Sequence, residues 1–381
     1  MPALIALFCA ALTLRPQIVG IGPLIPEIQD DLSSSHALVG LVGTIPVLAM
    51  GIFAPVGAVL ASRIGTRNGM TLGLVLLATF GLVRSVAPTA ISLVLLTIPV
   101  GIGMGIANSL SPLAVKQRLP DRPALGTGVY TTGIQIGSTV SAALAVPLAA
   151  LLGGWRWALA VFSVVSLVLC LAWILLMRGE GPHVRESLPH LPFRSRIAWL
   201  LVGIFATMGA AYYGLNAWLS DAYTEHGWSD AAAGGLIAAM NLTAIPASFV
   251  MPWLSDRHGR QRMMQILTVV FLLGALGLVT VPALGYAWCL LAGLGQGGMF
   301  ALVMTTPLDL EDRPERVGGL VAMMLGLGYT LAATAPFVLG AVRDATGSFE
   351  GPLWVAVGCI VALLVLVLLL GRARRAAGLS T

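Results

Sequence analysis

Apolar runs of about 20 residues or more, parted by short polar breaks, recur along the whole chain. They fall at about 3–29, 37–61, 68–87, 90–115, 125–152, 156–177, 197–219, 230–254, 263–282, 285–306, 317–341 and 352–371. An α-helix rises about 1.5 Å per residue and the apolar core of a bilayer is about 30 Å thick, so each run is long enough to cross with some tilt. Several carry Gly or Pro inside, which packed membrane helices tolerate. The pattern predicts an all-α integral membrane protein with twelve transmembrane helices.

The longest polar stretch, Arg178 to Arg196 (RGEGPHVRESLPHLPFRSR), divides these runs six and six. It is charged and Pro-containing and lacks helical periodicity, so it reads as a linker. The expected organisation is an N-terminal six-helix bundle over 1–177, a cytoplasmic linker over 178–196 and a C-terminal six-helix bundle over 197–381. A weak repeat relates the halves: Ser62-Arg63-Ile64-Gly65-Thr66-Arg67 follows the second run, and Asp256-Arg257-His258-Gly259-Arg260 follows the eighth. Two pseudo-symmetric bundles related by an axis along the membrane normal are one known plan for carriers, with the site near the midplane.

Composition supports the membrane reading. The 381 residues are 57% hydrophobic and 10% charged, against about 25% charged in soluble domains. The net charge of +5 does not point to nucleic acid, because the basic residues gather at one set of loops. With both termini cytoplasmic, all of the 21 Lys and Arg residues except Arg15, Arg84, Arg156 and Arg343 lie in inner loops, as the positive-inside rule requires. A multi-pass protein of the cell inner (plasma) membrane is expected, monomeric and bathed in the lipid bilayer. The N-terminal run has no basic flank and reads as a first span, not a cleaved signal. Cys9, Cys170, Cys289 and Cys359 all fall in apolar runs, and no CxxC or HExxH pattern occurs, so neither metal nor cofactor is expected. Gly293-x-Gly295-x-x-Gly298 matches a dinucleotide fingerprint in letters alone; no strand precedes it, and helix packing is the reading.

One charge sits at depth. A helix starting at Ala3 carries Arg15 roughly 18 Å in, near the middle of the apolar slab, and the carboxylates within the runs, Glu27 and Asp230, stand only at run ends. Such a guanidinium usually faces a wet cavity and marks a substrate path. The competing reading is a structural Arg bonded to backbone carbonyls. Pro16 follows directly and removes a backbone donor, so a kink is expected there, with Gly20 and Gly22 extending the deformable stretch.

The loop after the eighth run resembles the signature Asp-Arg-x-Gly-Arg loop of the major facilitator superfamily. The first copy departs from it at Ser62 and Thr66. The resemblance implies a latch between the halves built on Arg63, Gly65, Asp256, Arg257, Gly259 and Arg260, weakened in the first half by the missing acid. More specifically, Leu14-Arg15-Pro16 followed by Gly22-Pro23-Leu24-Ile25-Pro26 resembles the first helix of the cyanate permease and 2-nitroimidazole transporter family. The likeness continues in Gly101-Ile-Gly-Met-Gly105 with Pro112 and Lys116, in Gly154-Trp155-Arg156-Trp157, in Gly293 to Phe300, and from Leu320 to Pro336. It implies a carrier working by alternating access.

The residues lead to the expectation of a small anion or a polar, electron-rich aromatic held by the planar fork of Arg15. With the resemblance, the expected cargo is a cyanate-like or other small organic or inorganic anion, or a nitro-aromatic. Neutral companions are Asn108 in the fourth run, Gln135 in the fifth, Tyr212, Tyr213 and Asn216 in the seventh, Asn241 in the eighth, Gln296 in the tenth and Tyr329 in the eleventh. Each has a packing or interhelical-bonding alternative. Gly133-x-x-x-Gly137 resembles the superfamily's antiporter motif, but Ser138 stands where its Pro is usual. Arg84, near the end of the third run, reads as a headgroup contact or an attractor of anions. An exporter of drugs or metabolites and a non-transport membrane receptor are the alternative functions. An enzyme is not expected, since no loop carries a nucleophile–base or metal set.

Overall fold

The computed structural model describes residues 2–34, 36–177, 191–311 and 313–376. Among these, twelve helical spans are long and apolar enough to cross a membrane, matching the twelve apolar runs. The helices are α1 (Pro2–Leu14), α2 (Pro16–Val19), α3 (Ile25–Leu32), α4 (His36–Ile64), α5 (Thr66–Arg84), α6 (Ala90–Arg118), α7 (Pro123–Leu152), α8 (Trp155–Leu176), α9 (Arg196–Glu225), α10 (Asp230–His258), α11 (Arg260–Thr280), α12 (Gly285–Leu310), α13 (Pro314–Ala332), α14 (Ala335–Thr346) and α15 (Glu350–Ala376).

Two spans are interrupted. The first is built from α1, α2 and a 3-10 turn over Gly22–Leu24, and the eleventh from α13 and α14. In both, a proline stands in the first turn after the break: Pro16 opens α2 and Pro336 lies at the start of α14. A proline there has no N–H to return to the preceding turn, so the ladder stops without breaking a bond it would otherwise make.

By its contacts the chain forms two compact units, residues 1–191 with 311–326 and residues 192–310 with 327–381. Of the expected linker, 178–190 lies outside the described residues; Ser195 beyond it caps α9, its hydroxyl accepting from the Ala198 N–H at 3.3 Å.

Both units pack helices through glycine. In the first, a Cβ on Gly103 of α6 would lie 2.4 Å from the Gly73 carbonyl of α5. In the second, a Cβ on Gly293 of α12 would lie 1.9 Å from the Met240 carbonyl of α10, and one on Gly295 would lie 2.5 Å from the Phe271 nitrogen of α11. The Gly-rich run of α12 therefore serves backbone approach, as small residues commonly do between membrane helices.

The repeat is visible in detail. Gly65 and Gly259 precede α5 and α11 with φ of 83° and 84°, a left-handed bend that an L side chain would strain. In each unit, moreover, a carboxylate, Glu27 in the first turn of α3 and Glu225 at the end of α9, accepts from a backbone N–H where a later helix, α8 or α15, starts. Glu27 Oε1 receives the Trp155 N–H at 3.0 Å, and Glu225 Oε2 receives the Phe349 N–H at 3.2 Å. Anions belong at helix N-termini, where N–H groups are unpaired and the dipole is positive.

Candidate functional site around the break in the first helix

Arg15 lies in the gap between α1 and α2, only 7% exposed. Its residue caps the single turn of α2, its carbonyl accepting from the Ile18 and Val19 N–H groups at 3.0 and 2.9 Å. Just before it, the Thr13 hydroxyl bonds back to the Cys9 and Ala10 carbonyls at 3.0 and 2.6 Å. Such back-bonding bends a helix. Pro16 has no N–H to offer the Leu12 carbonyl, and this oxygen faces Gly137 of α7, where a Cβ would come within 2.8 Å. Gly133, one turn earlier, similarly admits Ala11 and the Phe8 carbonyl. The Gly133-x-x-x-Gly137 pair is thus the groove in which α1 lies, up to the break.

The second break, at Gly20–Ile21, redirects one bond. The Ile21 N–H turns to the Ile18 carbonyl at 3.2 Å, so the Gln17 carbonyl loses its helical donor. Arg84 replaces it. The expectation that Arg84 meets headgroups or a vestibule is overturned: the residue is 0% exposed, and its Nη2 donates to both the main-chain oxygen of Gln17 and to Gln17 Oε1, the latter at 2.9 Å. Its Nη1 reaches Thr97 Oγ1 of α6 at 3.3 Å. Gln17 Nε2 donates in turn to Ser163 Oγ of α8 at 3.1 Å. Gly81, one turn before Arg84, leaves room for the amide, since a Cβ there would lie 2.7 Å from Gln17 Oε1. The signal for this network is present in the sequence: Arg84 falls inside the predicted run 68–87, and Gln17 is a mid-span amide.

The other candidate residues form separate groupings. In the first unit Asn108 Oδ1 accepts from the Tyr130 hydroxyl at 2.9 Å, both residues buried; Tyr130 is a partner that the amide's need for a bond could have indicated. Gln135 is 5% exposed and its Nε2 has no hydrogen-bond partner. In the second unit Tyr212 and Tyr213 pack edge to face with centroids 5.3 Å apart, and the Tyr212 hydroxyl meets Asn241 Oδ1 at 3.3 Å. Asn216 turns back to the Tyr212 carbonyl at 2.9 Å. Gln296 is 5% exposed with its Oε1 unpartnered. Tyr329, 2% exposed, stands edge-on to Phe205 at 4.7 Å.

The two loops expected to form a latch differ in their side-chain contacts. Asp256 pairs with Arg260 at 3.3 Å, Arg260 also reaches Asp309 at 2.7 Å, and Arg257 lies over the Trp253 ring at 4.2 Å. In the other loop Ser62 bonds back to the Val59 carbonyl at 2.8 Å, Arg63 is exposed, and Arg67 donates to the Ile174 carbonyl at 3.2 Å. Among the described residues no cluster of three metal-ligating side chains occurs.

Comparison with known proteins agrees with this architecture. A cyanate transport protein of Escherichia coli (strain K12) is 28% identical over 96% of this chain and 96% of its own length. A 2-nitroimidazole transporter of the same organism is 29% identical over 90% of this chain and 88% of its own. In fold, the chain is similar to the human organic anion transporter MFSD10, with a TM-score of 0.77 at 17% identity, covering 96% of this chain and 99% of that one. The sequence profile described as Major Facilitator Superfamily matches residues 3–333. With twelve spans, a repeated Gly-turned loop and this match over most of its length, the chain belongs to the Major Facilitator Superfamily.

Proposed function

We propose that this protein is a secondary carrier for a small planar anion, or for a nitro-aromatic of similar hydrogen-bonding character, with Arg15 as its charged contact. The observation that carries the reading is the placement of Arg15: a guanidinium in a gap in the first transmembrane helix, at a depth where a charge is costly and usually functional. Its fork of donors suits the paired oxygens of nitro or carboxylate groups and the polar ends of cyanate. The names of the relatives, cyanate and 2-nitroimidazole, favour the same chemistry.

Neutral donors are proposed from each unit: Asn108 and Gln135 from the first, and Tyr212, Tyr213, Asn216, Asn241, Gln296 and Tyr329 from the second. The Tyr212–Tyr213 pair offers ring edges to a flat cargo. The proposed cycle is alternating access, steadied by a latch of Arg63, Gly65, Asp256, Arg257, Gly259 and Arg260. The termini are assigned to the cytoplasm and the protein to the inner membrane, since the basic loops follow the positive-inside rule.

Coupling follows from charge. Importing one negative charge against an inside-negative potential costs about 2.3 kcal/mol per 100 mV. Among the described residues, every Asp and Glu lies outside the helices or within about five residues of a helix end, so a mid-membrane carboxylate relay is not part of the proposal. Exchange, facilitated diffusion, or a proton carried by the cargo itself fits better.

A thermal-shift screen of nitrate, cyanate, small carboxylates and 2-nitroimidazole against the purified protein tests the reading. At least one compound should raise the unfolding temperature of wild type, because a ligand selective for the folded state stabilises by mass action. That shift should vanish in Arg15→Ala. Neutral lipophiles that stabilise both proteins equally, with no anion acting on either, would favour the exporter instead.

A further inference from the structure

The clamp on Gln17 is stronger than the fold alone requires. A freed carbonyl can be satisfied by a neutral hydroxyl or amide, yet here it receives a guanidinium with no exposure to solvent. The segment so held is short. Between the breaks at Arg15 and Gly20 stand only Pro-Gln-Ile-Val, and Gln17 is the single polar side chain among them. One turn of helix between two breaks makes too few bonds to hold its own direction. Its side-chain anchors are the Arg84 fork from α5, itself held by Thr97 of α6, and Ser163 of α8. Ser163 and Thr97 are each fixed in turn by a hydroxyl bond to their own helix, to the Leu159 carbonyl at 2.8 Å and to the Leu93 carbonyl at 2.7 Å. Three helices therefore hold one turn, and Arg15 is the residue capping that turn.

We infer that Arg84 is a positioning residue for anion recognition: by gripping Gln17 through both oxygens it fixes the orientation of α2, and with it the direction in which Arg15 presents its guanidinium. Arg84 acts through the main chain and does not touch the cargo. The inference rests on the reading of Arg15 as the anion contact. A fork is required, not a charge alone, because Nη2 holds both Gln17 oxygens while Nη1 reaches Thr97 of α6, and an ammonium would act there as a point charge. Gly81 belongs to the same device, since a methyl group there would displace the Gln17 amide.

The test compares wild type with Arg84→Gln, Arg84→Lys, Gly81→Ala and Arg15→Ala, purified in detergent, with cyanate and nitrate as probes. Two quantities are read: the probe dissociation constant of the folded fraction and the amide exchange of residues 15–21. Arg84→Gln should weaken binding about ten-fold, since a small misplacement of a recognising group carries costs of this order, and should speed exchange in 15–21 while the rest of α5 and α6 is unchanged. Arg84→Lys should fall between the two. Where Arg84→Gln does not fold, Gly81→Ala carries the test, as it keeps the charge and disturbs the grip. Adding Arg84→Gln to Arg15→Ala should cause no further loss of binding, because residues acting as a unit are not additive. Wild-type affinity and wild-type exchange in folded Arg84→Gln, or in Gly81→Ala where the former does not fold, would overturn the inference while leaving Arg15 in place. Wild-type affinity in Arg15→Ala would instead overturn the anion reading itself.

Discussion

The guanidinium of Arg84 donates to both the main-chain and the side-chain oxygen of Gln17, two residues beyond Arg15. The carbonyl is open to it because the first helix breaks a second time at Gly20–Ile21 and the Ile21 N–H turns to Ile18. Local sequence sets the breaks, and partners distant in sequence make them stable. Pro16, Gly20 and Gly22 come from the segment itself; Arg84, Thr97 and Ser163 come from three other helices of the same unit.

Removing the side-chain part of this clamp should cost stability. Gln17→Leu keeps the main-chain oxygen for Arg84 but leaves the fork one acceptor short and Ser163 without its donor. Breaking a buried bond to a charged group in this way costs about 1–3 kcal/mol. The expected result is a lowered thermal unfolding temperature of the detergent-solubilised protein, with Ser163→Ala losing less because it leaves the bonds to Arg84 intact.

Gly137 admits the carbonyl that Pro16 leaves open. Gly137→Ala would place a methyl group 2.8 Å from the Leu12 carbonyl oxygen, and relieving such overpacking costs about 1–3 kcal/mol. At Gly358 of α15 an added methyl group would meet nothing within 4 Å, so Gly358→Ala should show no loss. Unfolding temperatures of the two variants, measured side by side, check the contrast.

How much of this is readable from the sequence depends on the range of each interaction. The twelve spans are legible because a membrane demands long apolar runs, and Pro16 announces its kink because proline acts on its own backbone. Both are local. Arg84 defeats a local reading because it ends its helix, a place where snorkelling is the usual outcome for a long basic side chain; that it turns inward follows from Gln17, 67 residues away in sequence. Similarly, Asn108 is recognisable as an amide needing a partner, but only the packing of α6 against α7 supplies Tyr130. The antiporter-like glycines stand out as a motif, whereas their use here, as the groove for a broken helix, depends on which helix lies against them.

A pH effect is expected at the end of the first unit remote from the N-terminus. Asp31 is hydrogen-bonded by the Arg156 guanidinium and by the Trp155 indole N–H, the latter at 3.1 Å, and these hold its carboxyl below the usual carboxylate value. A lowered value in the folded state means stability that is fully present above the ordinary carboxylate pKa of about 3.9 and is lost as pH falls through the lowered one. Asp31→Asn should therefore be less stable than wild type at neutral pH, and the gap should close on acidification below about pH 4. Because the pair is exposed, salt should shrink the gap as well. Thermal melts of both proteins from about pH 7 to about pH 3, at low and high salt, read this directly.

The most direct measurement is anion flux in proteoliposomes containing wild type, Arg15→Lys or Arg15→Ala, with cyanate and nitrate as cargo and exchange and net uptake recorded separately. Losing a charged hydrogen-bonding partner that a buried anion depends on costs about 2–5 kcal/mol, so Arg15→Ala should fall to the rate of empty vesicles while remaining folded. Arg15→Lys should retain the charge but not the fork, and transport slowly. Flux through folded Arg15→Ala at the wild-type rate and affinity would contradict the assignment of Arg15 as the residue that receives the anion.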